Sequence, residues 1–184
     1  MKIFVALLLA FSLPAWAAPS NWAAGPDAGN ITFTAYWNGT PVTGHFPKFQ
    51  LTARLDPAHP AGGSITLDIA TSEIKTQSAD ITAAIRGDAW FDVKSYPKAS
   101  FVSESIVKET GGLYQLRGEL RIKGHEKTVV FPLRITCDDG TLELTGKLTL
   151  DRTDFAIGSG QWSGGDVIAH KVNLAFRFVL APAG

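Results

Sequence analysis

One cysteine, Cys137, and one methionine, Met1, occur in 184 residues. A single thiol cannot close an internal disulfide, so no covalent staple holds this fold, and the expected place for Cys137 is a buried, inert one. Four histidines, His45, His59, His125 and His170, are scattered along the chain, and there is no His-x-His pair, no Cys-x-x-Cys pair and no Gly-x-Ser-x-Gly elbow. That leaves no ligand set for zinc and no activated nucleophile, so no catalytic or metal-binding residue is assigned. Asp154 beside Arg152 reads as a local ion pair, since no second catalytic group stands near it. An excess of either charge is also missing: 17 basic residues balance 17 acidic ones, and no stripe of Lys or Arg is present to attract nucleic acid.

Long hydrophobic runs are missing too. The longest, Ile3 to Leu13, falls well short of the roughly 20 residues a helix needs to cross a bilayer. It follows Lys2 and leads into Ala15-Trp16-Ala17, the layout of a cleavable signal peptide over residues 1–17. Export by such a signal implies the periplasm of a bacterium. Residues 18–184 are the right length for one domain.

What the chain has in quantity is alternation. Ile31, Phe33, Ala35 and Trp37 share one parity, as do Phe49, Leu51, Ala53 and Leu55, then Ile65, Leu67 and Ile69. The same period returns from Tyr114 to Ile122, from Leu142 to Leu150 and from Val172 to Phe178, with strand-like stretches at 100–107 and 128–137. Turn signals separate them at Asn38-Gly39, Gly62-Gly63, Gly111-Gly112, Gly124 and Asp139-Gly140. The count is eight antiparallel strands, each apolar on one face, which can close into an up-and-down barrel or stack as a sandwich. The barrel is preferred. Parity flips between Val42-Gly44-Phe46 and Phe49-Leu51, so a bulge or sharp bend is expected at Pro47. Residues 78–85 switch to helical spacing, with Ser78 as N-cap and Gly87 as terminator, and run into the apolar segment Trp90-Phe91-Asp92-Val93. That segment suits either a lid over one barrel end or a plug completing the core.

Four blocks carry a resemblance to a known family: TPVTGHFPKF (40–49), WFDVKSYPKASF (90–101), GELRIKGHEKTVVFP (118–132) and LDRTDFAIG (150–158). In this order and spacing the chain resembles the YceI family of lipocalin-like, polyisoprenoid-binding periplasmic proteins. The resemblance implies an all-β, eight-stranded antiparallel lipocalin-like β-barrel, with the short helix and apolar crossing over one end. It implies non-catalytic binding and transport of a long isoprenoid lipid, a polyprenol or quinone, with no other cofactor. Some relatives resemble partners of membrane cytochromes of the b561 type, so transient contact with such a cytochrome or with the inner membrane is a further expectation.

The expected luminal residues on the first half of the barrel are Phe33, Phe46, Phe49, Leu67, Ile69 and Phe101. On the second half they are Leu116, Leu120, Phe131, Leu148, Leu174 and Phe176. Ile85, Phe155 and Ile157 belong to the same lumen-and-mouth set, and Trp90, Phe91 and Trp162, on irregular segments, are expected around the entrance. Gly44, Gly118 and Gly146 lie in register with the apolar faces, where they either leave room for a ligand or permit close backbone approach. The glycine-rich loop 158–166, with Trp162 near its middle, reads as a mobile segment that gates the mouth or touches the membrane during exchange, or as a plain hairpin connection. Where many family members carry a His-Ser pair before the first strand, this chain has Ala28 and Gly29, so no head-group contact is carried over there. Two other identities remain open: a stress protein holding any fatty amide or acid, and a β-sandwich module that stacks sugars on Trp37, Trp90 and Trp162.

Overall fold

The computed structural model describes residues 20–183; the expected signal segment 1–17 lies outside the described residues. The first stave of the barrel is broken in two: β1 (Ser20–Ala24) and β2 (Gly29–Trp37) are separated by a 3-10 turn at Pro26–Ala28. The second is also broken, into β3 (Thr40–His45) and β4 (Phe49–Asp56), at the expected Pro47 bend. The third comprises β5 (His59–Ala70) and the short β6 (Lys75–Thr76), which pairs back onto β3. Helix α1 (Ala79–Ile85) and an irregular crossing follow, then β7 (Lys98–Lys108), β8 (Leu113–Ile122), β9 (His125–Asp138), β10 (Thr141–Asp151) and β11 (Lys171–Pro182).

Every neighbouring pair is antiparallel, and β11 closes the ring by pairing with both β2 and β1. The result is an eight-stave barrel, and closure removes the sheet edges that a sandwich would keep. The alternation explains it directly: Phe49, Leu51, Ala53 and Leu55 are all buried while Gln50, Thr52 and Arg54 face solvent.

Three hairpins, at Asn38-Gly39, Lys123-Gly124 and Asp139-Gly140, have positive φ at both central residues, the primed geometry that matches strand twist. Gly62-Gly63 is not a turn. The β4–β5 turn falls at Pro57-Ala58, and the glycine pair lies inside β5 beside an irregularity in the β4–β5 register. Cys137 is exposed rather than buried, because it sits at the end of β9, next to the Asp138–Gly140 turn. The helix forms as its cap predicts, with Ser78 Oγ accepting from the Ile81 amide at 3.4 Å.

The β9–β10 ladder runs only from Asp138–Thr141 to Leu133–Gly146. Beyond that point Pro132 has no N–H to donate, and the two strands separate. A 3-10 turn at Arg152–Phe155 follows β10, and Lys127 on β9 reaches its Asp154 at 3.2 Å. The expected Asp154–Arg152 pair is therefore not made.

Candidate ligand cavity

The barrel is packed in one half and hollow in the other. At the packed end Leu55, Leu133, Leu142, Leu144, Phe178 and Leu180 are buried almost completely, and the Trp22 indole N–H donates to the Leu55 carbonyl at 3.2 Å. Above this half lies an aromatic layer. Phe101 meets Phe131 at 5.8 Å between centroids, Phe131 meets Phe176 at 5.8 Å, Phe176 stacks on Phe178 at 5.4 Å, and Phe178 meets Phe49 at 5.0 Å. Along each inward row the next residue toward the other end faces empty space: Ala99 after Phe101, Leu120 after Gly118, Leu174 after Phe176.

That space is a cavity of about 600 Å³, well within the usual range for a ligand site. Of the expected luminal residues, Phe33, Ile69, Leu120 and Leu174 line it from the strands and Phe46 from the break between β3 and β4. Ile85, Trp90, Phe91, Phe155, Ile157 and Trp162 line it from the helix, crossing and loop. Phe49, Phe101, Leu116, Phe131 and Phe176 do not. They belong to the core beneath, where the barrel is narrow enough for side chains to fill it. Leu67 packs partly buried against the same core. Leu148 and Phe131 border a different space, a polar groove of about 760 Å³ on the outer wall where β9 and β10 part. Val42, Ile81, Ala84 and Ile168 also line it, though none was expected at the site. Ile81 was legible from the helical spacing; Ile168 follows a glycine-rich loop that has no period.

The three in-register glycines leave no room for a ligand. A β-carbon at Gly44 would overlap the ring of Phe33, one at Gly118 the ring of Phe101, and one at Gly146 the ring of Phe176. Close approach is thus their role, with a phenylalanine lying flat over bare backbone at each. Gly29 is equally confined, with a β-carbon only 2.5 Å from the Arg177 carbonyl oxygen; a serine there would not fit.

Arg152 dominates the electrostatics. Only 3% exposed, it donates from Nε to Ala169, from Nη1 to Ile157 and Gly158, and from Nη2 to Trp162, Gly164 and Ile168, all backbone carbonyls at 2.7–3.1 Å. Its guanidinium lies 5.8 Å from the Trp90 ring centre, and Trp90 in turn meets Trp162 at 6.0 Å. The loop expected to be mobile is thereby tied down at five points between residues 157 and 168. The Ala89 carbonyl accepts from the amides of Gly158 and Ser159, fastening the same loop to the crossing. Lys123 Nζ donates to the carbonyls of Asp88 and Ala156 at 2.7 and 3.0 Å.

Burial pushes the Arg152 pKa down, and neighbouring Asp151 partly offsets this. Asp151 is held below the ordinary carboxylate value, first by the Thr153 hydroxyl, which donates to it at 2.6 Å, with further help from the Thr153 amide and Lys171. A depressed native pKa contributes stability that is present above the unfolded value of about 3.9 and is lost as pH falls through the lower native value. Thermal unfolding followed downward from pH 5 is expected to show a steeper loss for the wild type than for Asp151→Asn. Equal slopes would remove Asp151 from the acid response.

Two threonine hydroxyls on the cavity wall are engaged by the protein itself: Thr71 donates to the Tyr96 carbonyl and Thr76 to that of Ser78, both at 2.8–2.9 Å. Among the described residues there is no group of three or more His, Cys, Asp or Glu able to hold a metal ion. A closed antiparallel barrel around an apolar, dead-ended space defines a lipocalin-like barrel. The chain belongs to the YceI-like domain family, which matches residues 22–180. It is 29% identical to Burkholderia cenocepacia BcnA, whose crystal structure superposes with a TM-score of 0.81 over 86% of this chain and 99% of that one. A polyisoprenoid binding domain from Saccharophagus degradans, 14% identical, shares the fold at TM-score 0.70 over 90% and 99% of the two chains. A UPF0312 protein of Vibrio cholerae is 28% identical over 89 residues, 48% of this chain and 47% of that protein. The chain thus spans about half the length of the curated relatives it matches.

Proposed function

We propose that this protein encloses the tail of a long isoprenoid lipid, a polyprenol or a ubiquinone-like quinone, and carries it through the periplasm without catalysis or a separate cofactor. The observation that carries this is the cavity itself, walled by Phe33, Phe46, Phe91, Leu120, Ile157 and Leu174, with the Thr71 and Thr76 hydroxyls turned to protein carbonyls. Each buried methylene is worth about 0.8 kcal/mol, so one five-carbon unit moved out of water gains about 4 kcal/mol. The membrane offers the tail nearly the same gain. Loading and release then need only a small difference between barrel and bilayer, and the inner membrane, or a b561-type cytochrome within it, is the natural site of exchange.

A predominantly apolar wall recognises the tail and leaves a head group to the few polar liners, Asp80 and Tyr36 among them. The same fact supports a second reading, a protein that accepts a fatty acid or amide of suitable length. Mass spectrometry of an organic extract of the purified mature protein separates them. An isoprenoid is expected, lost in Ala35→Trp, where the indole would fill the upper cavity. A fatty chain in its place selects the second reading; a folded protein that carries no lipid and takes up none rejects both.

A further inference from the structure

We propose that the rim of the cavity is a bilayer-docking lip, formed by the tip of the β2–β3 hairpin and the loop before β11. It inserts into the surface of a neutral membrane, so that cargo passes between bilayer and barrel without crossing water. The proposal rests on the lipid-carrier function above and assigns it a surface.

Large apolar side chains are exposed together here. Tyr36, Trp37 and Val167 are 37%, 45% and 47% exposed, whereas Val102, Val107 and Val130 stand apart on the outer faces of β7 and β9. The hairpin and the loop form one platform: the Asn38 amide donates to the Val167 carbonyl at 2.8 Å, the Ala169 amide to the Tyr36 carbonyl at 3.0 Å, and Trp37 bridges Ile168. Arg152 holds the loop from beneath through Trp162, Gly164 and Ile168. Tyr36, Trp37 and Ile168 also line the cavity, so the platform stands at its opening.

Charge is nearly absent from this surface. Residues 36–43 carry none, and residues 159–168 carry only Asp166. Tyr and Trp favour the boundary between head groups and acyl chains, where a ring is buried and a polar tip stays wet. Without a basic patch, attraction to anionic lipid contributes little, and Asp80 and Asp166 at the rim oppose it. The surface therefore fits apolar insertion into zwitterionic lipid.

The test uses the mature, loaded protein with phosphatidylcholine vesicles whose acyl chains are brominated near the head group. Quenching of tryptophan emission is expected, insensitive to salt and reduced in Trp37→Phe, which removes the most exposed reporter. Val167→Asp and Pro41→Asp each place a charge on the lip at a residue that does not line the cavity. Both are expected to retain bound lipid and to slow its transfer to vesicles about tenfold or more. Unchanged transfer in both variants overturns the lip, as does quenching that requires anionic lipid. A protein that docks as described but carries no lipid leaves the lip standing and rejects the carrier function alone.

Discussion

Replacing Arg152 by Met is expected to destabilise the protein by about 4 kcal/mol or more, with Arg152→Lys close behind. Six backbone carbonyls converge on one guanidinium, and no other donor stands ready for them. Leaving a buried acceptor unsatisfied costs about 1–3 kcal/mol, so even if water reaches half of the six, the loss is large. An ammonium has three donors on one point, whereas the carbonyls of Ala169, Ile157 and Trp162 are approached by three different nitrogens of a planar fork. Urea unfolding measures the loss. Tryptophan near-ultraviolet dichroism, reporting the Trp90–Trp162 contact, checks that the loop is what comes free. A stability change under about 1 kcal/mol for Arg152→Met would mean that the loop holds itself and the guanidinium is incidental.

The second large effect concerns the flat rings. Gly118→Ala and Gly146→Ala are each expected to cost about 1–3 kcal/mol, because a methyl group has no space there and the packing must shift. Their rescue is expected to differ. At Gly146 the nearest neighbours are Cζ and Cε1 of Phe176, with the Pro132 carbonyl at 3.1 Å, so Phe176→Leu should restore most of the loss. At Gly118 the Val102 backbone carbonyl is as close as the Phe101 ring, so Phe101→Leu should restore little. Two double-mutant cycles measured by chemical unfolding decide this. Equal rescue at both sites would show that the rings alone impose glycine, and no rescue at either would leave the backbone as the cause.

Most of the wall was legible from period alone. Alternation put Phe33, Leu120 and Leu174 on inward faces, and helical spacing gathered the apolar residues of 78–85 on one face. The same period ran through Phe101 and Phe176, and nothing in it separates a residue that lines a cavity from one that fills the core one step below. Depth along the barrel depends on how five rings from four strands meet, and most of those pairs are far apart in sequence. Arg152 was misread for a related reason. Asp154 is two residues away, but the 3-10 turn that begins at Arg152 points the two side chains apart, and Asp154 finds Lys127 across the gap between β9 and β10. The glycine-rich loop looked mobile because its composition is permissive. Its order comes from the arginine and from Ala89, both outside the loop.

By itself the sequence determined the class of fold, the positions of most turns, the Pro47 break and the short helix with its serine cap. These depend on local sterics and on which side of a strand each residue takes, information carried within a few positions. Tertiary structure alone decided that β11 closes the ring onto β1 and β2, and that the aromatic layer seals one half while leaving the other hollow. It also decided that a buried cation organises the mouth. Each of these arises where side chains distant in the chain compete for the same volume or the same hydrogen-bond acceptors, and that competition is resolved only when the barrel closes.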